Sequence, residues 1–153
     1  MAVLSPEDTQ TLKTRFRKEL KQDVTLNLYP VRAAGLLIVP GRECPTCPQV
    51  RELLEEVVAL APKLHLEQID FYTQADEVQR LGISRVPCIG MAVPGQEAPR
   101  LRYYGTPSGY EFATLVDDIV TLSRAVSPLQ LPTRKILRKL EQDVHIQVFV
   151  TPG

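Results

Sequence analysis

Hydrophobic side chains at Leu12, Phe16 and Leu20 recur every four residues, the spacing of one helical stripe. Ser5 stands as a cap, Pro6 at the first helical position and Asp8 three residues after the cap, so a short amphipathic helix is expected over Pro6 to Lys21. From Asp23 to Tyr29 the period changes: Val24, Leu26 and Leu28 alternate with Thr25 and Asn27, the pattern of a half-buried strand that Pro30 ends. After Ala33-Ala34-Gly35 comes Leu36-Leu37-Ile38-Val39, a continuous apolar run bounded by Pro40-Gly41, which predicts a central strand buried on both faces. It leads into Arg42-Glu43-Cys44-Pro45-Thr46-Cys47-Pro48. Val50, Leu53, Leu54, Val57 and Val58 then mark a strong amphipathic helix that Pro62 terminates. His65 to Phe71 reads as a strand, and Ala75, Val78 and Leu81 as a short helix closed by Gly82. Ile89 to Val93 and Arg100 to Tyr104 are expected to form a hairpin about the turn residues Pro94-Gly95. Ser108 and Glu111 have capping-box spacing ahead of Phe112, Leu115, Val116, Ile119 and Leu122, which predicts a last full helix.

Beyond Ser127-Pro128 the pattern starts again. Leu20, Gln22, Asp23 and Val24 recur as Leu140, Gln142, Asp143 and Val144, and Lys18, Leu26, Leu28 and Tyr29 have like-for-like counterparts in Arg138, Ile146, Val148 and Phe149, all in one ungapped register. The expected organisation is one domain-sized unit, 1–126, followed by the opening helix and first strand of a second, 127–153.

Composition narrows the function classes. The chain has 153 residues, 44% of them hydrophobic, enough for one packed domain. Eighteen Lys plus Arg balance eighteen Asp plus Glu, which removes any overall electrostatic case for nucleic acid or an anionic membrane as partner. The longest apolar stretch is far short of the roughly 20 residues of a membrane span. Met1 to Gln10 lacks a basic segment followed by an apolar run, so no secretory signal is read there and a cytoplasmic location is the expectation. Three cysteines are too few for a disulfide-stapled secreted fold.

Cys44 and Cys47 carry the chemistry. At a helix start the unpaired N–H groups and the positive end of the dipole favour a thiolate over a thiol, which makes a cysteine nucleophilic. Cys44, nearer the exposed end, would attack a substrate disulfide, and Cys47 would resolve the mixed disulfide. Pro45 removes one competing N–H and stiffens the turn; Arg42 would favour the thiolate and Glu43 oppose it. The same spacing also serves as half of a zinc site, but only Cys88, His65 and His145 could complete it, without a second CxxC or paired histidines. Cys88 reads as a small buried strand residue, His65 and His145 as surface or half-buried positions. Tyr103, Tyr104 and Tyr110 are expected to cover the sheet edge near the last helix.

A CxxC after a strand and before a helix, with Val86-Pro87 some forty residues later, resembles the thioredoxin fold. Leu81 to Pro87 (LGISRVP), Leu101 to Ser123 (LRYYGTPSGYEFATLVDDIVTLS) and Val144 to Pro152 (VHIQVFVTP) further resemble the glutaredoxin-like protein disulfide oxidoreductases, which carry two such units in tandem, and the related amino-terminal region of the flavoprotein subunit of alkyl hydroperoxide reductase. The resemblance implies a three-layer α/β sandwich with a mixed sheet, here with an extra N-terminal helix-strand element. It implies Cys44 and Cys47 as catalytic residues. Pro45, Thr46, Val86 and Pro87 would be substrate-binding, with a cis bond before Pro87. It also implies no metal and no cofactor beyond the redox-active disulfide, protein disulfides as substrates and a thioredoxin-reductase-like flavoprotein as donor. The chain departs from ordinary thioredoxins in having no Trp before the motif and no acid in Leu36 to Val39. A noncatalytic docking unit with vestigial cysteines is the alternative from another class.

Overall fold

The structure, a computed structural model, describes residues 3–31 and 41–149. Helix α1 (Pro6–Glu19) starts as expected, with the Ser5 hydroxyl accepting from the Asp8 N–H at 3.0 Å. Strand β1 (Val24–Tyr29), helix α2 (Cys47–Val58), strand β2 (Leu64–Gln68) and helix α3 (Ala75–Arg80) follow. The hairpin β3 (Cys88–Ala92) and β4 (Leu101–Tyr104), helix α4 (Tyr110–Arg124) and helix α5 (Leu131–Leu137) complete the described elements. The hairpin begins with the expected turn: the Gln96 N–H donates to the Val93 carbonyl at 3.2 Å across Pro94 and a positive-φ Gly95.

The sheet has the order β2-β1-β3-β4, with β1 parallel to β2, antiparallel to β3, and β3 antiparallel to β4. A parallel pair needs a crossover, which α2 supplies between β1 and β2. Val24–Tyr29 is therefore no appendage. The expected helix-strand element is present, but its strand lies inside the sheet with neighbours on both sides. It is also more than half buried: Val24, Leu26, Leu28 and Tyr29 are all at 0% exposure. The alternating polar residues mislead because Thr25 and Asn27 face a second layer rather than open solvent, being only partly exposed. The expected central strand Leu36 to Val39 lies outside the described residues.

Strand alternation sorts the core into two layers. On one face Leu26, Leu28, Ile89 and Met91 pack with Phe16 of α1, Val50 and Leu54 of α2, and Ile119 of α4. On the other, Tyr29 and Cys88 pack with Val78, Leu81 and Ile83 of and after α3. Gly90 lies on this second face, where a Cβ would come within 2.8 Å of the Pro99 ring and 3.3 Å of Tyr29.

Ser123, at 1% exposure near the end of α4, ties that helix to the start of β1. Its hydroxyl accepts from the N–H groups of Lys21 and Gln22 at 2.9 and 3.1 Å and donates to the Gln22 carbonyl at 2.6 Å. Ser123→Ala is expected to lower stability by about 1 kcal/mol, because it removes hydroxyl bonds to part-buried backbone groups of Lys21 and Gln22; the urea midpoint measures it, and an unchanged midpoint contradicts it.

Two expectations change at the carboxyl side. The Ser108–Glu111 capping box does not form: Gly109 caps α4 with positive φ, and the Glu111 carboxylate instead accepts from the Tyr103 hydroxyl at 2.6 Å. Tyr110, 94% exposed, covers no sheet edge. The helix expected after Ser127 exists as α5, yet it buries no side chain, and 144–149 pairs with no strand among the described residues. Without a neighbouring ladder those backbone groups have nothing to form a strand with. Ile146, Val148 and Phe149 stand 78%, 78% and 88% exposed, although their counterparts Leu26, Leu28 and Tyr29 are the buried centre of the sheet.

Candidate functional site

Cys44 and Cys47 are joined as a disulfide with their Cα atoms 5.3 Å apart, inside the range such a bridge requires. The bridge spans one tight turn. The Cys44 carbonyl accepts from the Cys47 N–H at 3.2 Å, Pro45 occupies the position whose φ its ring presets, and Thr46 has φ −93° and ψ −12°. Cys47 is the first residue of α2, and the Thr46 carbonyl takes the first helical bond, from Val50 at 3.0 Å. No side chain caps this helix, so its leading N–H groups and dipole remain available to a negative sulfur. Cys44 is half-buried and Cys47 buried at 3% exposure, so the first sulfur is the one within reach of a partner. Pro45 and Thr46 are both exposed beside it.

Arg42, two residues ahead of the bridge, lies with its guanidinium 4.5 Å from the centre of the Tyr72 ring. Tyr72 is held by a turn after β2, where the buried Asp70 carboxylate accepts from the N–H groups of Tyr72 and Thr73 at 3.0 and 2.8 Å. Phe71 in the same turn donates its N–H to the Pro30 carbonyl just past β1. The motif is thus anchored at the carboxyl end of the central strand. Glu43 is exposed.

The peptide bond between Val86 and Pro87 is cis, as the resemblance implied. Val86 is half-buried, Pro87 is buried, and the Pro87 carbonyl accepts from the Gly105 N–H at 3.0 Å. Cys88 follows as the first residue of β3 and pairs with Tyr29, the last residue of β1. Pro87 leads into β3 opposite Tyr29, and the Phe71–Pro30 bond and the Arg42–Tyr72 contact hold the cysteine motif near that same end of β1, so the two motifs share one end of the sheet. Arg85 lies 5.6 Å from the Tyr104 ring, on the strand beyond.

Cys88 is fully buried, as a small strand residue should be. Burial pushes its thiol from 9.0 up to about 11, against the opposing hydrogen bond with Tyr104 and the charge of Arg102. Burial likewise raises the Tyr29 phenol to about 12, helped by Cys88 and Glu77. Both groups fold neutral, with folded values above the unfolded ones. Their contribution to stability is fully present below about pH 9 and is lost as pH rises through about 11 to 12. Reduced protein treated with iodoacetamide at pH 8 is accordingly expected to be alkylated at Cys44 and not at Cys88 until denaturant is added. Mass mapping that finds Cys88 modified in the native protein would refute this.

Among the described residues, no three His, Cys, Asp or Glu side chains converge as a metal site. His65 is exposed on β2 and meets Asp23 at 3.4 Å; His145 is exposed. The Tyr29–Cys88 pairing, the Arg42–Tyr72 stack and the second-face position of Asn27 went unread in the sequence, because each is a cross-strand or loop contact without a local signal.

No family model matches the sequence, and no curated protein sequence matches it. Solved structures do. The NTD_N/C domain of alkylhydroperoxide reductase AhpF from Enterococcus faecalis superposes with TM-score 0.71 at 22% identity, over 86% of this chain and 58% of that one. A protein disulfide oxidoreductase from Aeropyrum pernix gives 0.70 at 24% identity, over 91% and 57%. A mutant thioredoxin from Halobacterium salinarum gives 0.51 at 18% identity, over 82% and 91%. The chain therefore spans under three fifths of the length of the first two. A mixed sheet ordered β2-β1-β3-β4, helices on both faces and these neighbours together give the chain the thioredoxin fold.

Proposed function

We propose that this chain is a thiol-disulfide oxidoreductase that exchanges two electrons with protein disulfides through Cys44 and Cys47. The observation that carries this reading is the bridge itself, set at the uncapped start of α2 with one sulfur accessible and the other buried. In the reducing direction the Cys44 thiolate attacks one sulfur of a substrate disulfide, that S–S bond breaks, and the first substrate sulfur leaves as a thiolate. Cys47 then gives up its proton and attacks the Cys44 sulfur, the mixed disulfide breaks, and the second substrate thiolate leaves. The substrate is reduced by two electrons and the protein returns to the bridged form. Pro45, Thr46, Val86 and Pro87 are the residues assigned to hold the substrate chain, the backbone before Pro87 supplying its hydrogen-bonding groups.

A glutaredoxin-like specificity, a flavoprotein disulfide reductase as electron donor and a cytoplasmic setting complete the proposal. Among the described residues no helix is long and apolar enough to cross a membrane. Residues 127–153 are assigned as the opening of a second unit, supported by the repeat of Leu20 to Val24 as Leu140 to Val144. The uncovered apolar side chains there favour a second reading, a docking unit with vestigial cysteines. Equilibration in dithiothreitol or glutathione buffers separates the two. An oxidoreductase shows a reversible two-electron couple between roughly −180 and −300 mV. Its absence leaves the docking role.

A further inference from the structure

At the end of the sheet that holds the cysteine pair, charge is sparse and unevenly placed. The described connections there, 41–46, 69–74, 81–87 and 105–109, carry Arg42, Glu43, Asp70 and Arg85 and no other charged side chain. Asp70 is buried, and its carboxylate accepts from the N–H groups of Tyr72 and Thr73 within its own turn. Arg42, Glu43 and Arg85 are exposed, which leaves two cations against one anion on the surface around the bridge.

Each arginine stands two residues ahead of a site motif, Arg42 before Cys44 and Arg85 before Pro87, so each Cα lies within about 7 Å of that residue's Cα. Each also lies over a tyrosine ring. The Arg42 guanidinium is 4.5 Å from the centre of the Tyr72 ring, in the turn after β2, and that of Arg85 is 5.6 Å from the ring of Tyr104, the last residue of β4. In the order β2-β1-β3-β4 these are the two outer strands, and the cysteine pair and cis-Pro87 belong to the ends of β1 and β3 between them. The two cations therefore flank the exchange site from opposite sides. Among the described residues no carboxylate forms an ion pair with either of them. A ring beneath a guanidinium restrains it while its in-plane N–H donors stay free, and a carboxylate can take two of those donors in parallel.

We propose that Arg42 and Arg85 set the substrate class: protein disulfides whose cysteines are flanked by Asp or Glu, the acidic side chains meeting the two guanidinium groups as Cys44 attacks. This rests on the oxidoreductase reading and adds a substrate preference to it. The test mixes the reduced full chain with three hexapeptide disulfides that differ only in carrying Asp, Ser or Lys on both sides of the cysteine. Each exchange rate is divided by that of the same peptide with dithiothreitol, which cancels the effect of the flanking charge on the peptide's own sulfur. At low salt the Asp disulfide is expected to react about fivefold faster than the Ser one, the size of two solvent-exposed ion pairs, and the Lys disulfide more slowly than both. The advantage should shrink at about 0.5 M salt, where charges are screened within roughly 4 Å. Arg42→Gln combined with Arg85→Gln is expected to bring the Asp-to-Ser ratio to unity. That ratio is independent of how much Cys44 is ionised, which loss of Arg42 also alters. Tyr72→Phe keeps the ring and should keep the preference. Exchange with none of the peptides would remove the oxidoreductase reading and this inference with it. Equal normalised rates, faster exchange with the Lys peptide or with glutathione disulfide than with the Asp peptide, or a preference that survives the double substitution would overturn the substrate class alone.

Discussion

Serine at Cys44 is expected to abolish disulfide exchange outright, while serine at Cys47 leaves the protein covalently caught on its substrate. The asymmetry follows from burial and position. Cys44 precedes α2 and is partly accessible; Cys47 is the first helical residue, at 3% exposure, and can reach only a sulfur delivered to it by Cys44. Insulin reduction by dithiothreitol should fall to the uncatalysed rate with either variant. Only Cys47→Ser should give a mixed disulfide that survives a non-reducing gel, because it keeps the attacking thiolate and loses the resolving one. Trapping by Cys44→Ser instead would reverse the assigned roles. Normal turnover by Cys44→Ser would remove the oxidoreductase reading altogether.

The largest stability effect is expected at Leu26. It sits mid-way along β1, hydrogen-bonded between β2 and β3, at 0% exposure, and its side chain belongs to the cluster shared by α1, α2 and α4. A site walled by three helices and a sheet has little room to collapse, so Leu26→Ala should cost about 4 kcal/mol, toward the upper part of the 2–5 found for such truncations. Against the 5–15 kcal/mol of a typical domain, that is a large fraction of the whole. Ile146→Ala, at the corresponding place in the repeat and 78% exposed, should change stability by less than about 0.5 kcal/mol. Urea midpoints of the two variants measure both; similar losses would mean that 144–149 packs on the first unit after all.

That contrast also shows how far residue patterns reach. The Ser5 cap, the amphipathic stripe of α2 and the Pro94-Gly95 turn are legible because each is decided within a few residues, by one hydroxyl, one period or one ring. The cysteine pair is legible because its spacing fits the single turn, closed by the Cys47 N–H on the Cys44 carbonyl, that opens α2. Val24–Tyr29 is legible as a strand, but its rank as the interior strand is not, since the alternation that marks one wet face also describes a strand whose second face meets α3 and the loop at Pro99. Ser108 fails as a cap for a related reason: Tyr103, on the preceding strand, takes the Glu111 carboxylate that a capping box needs. Tertiary competition of that sort leaves no trace in local spacing.

Residues 3 and 4 are moored to the helix that Cys47 opens: the N–H groups of Val3 and Leu4 donate to the two carboxylate oxygens of Glu56 at 2.7 and 2.9 Å, and these bonds hold the Glu56 carboxyl below its ordinary range. Tension applied at those residues, by an immobilising tag or a fused partner, would run through two short bonds directly into α2. A surface-coupled electrode or sensor built on this protein is therefore better attached beyond α4, where strain has no equally direct route to the bridge.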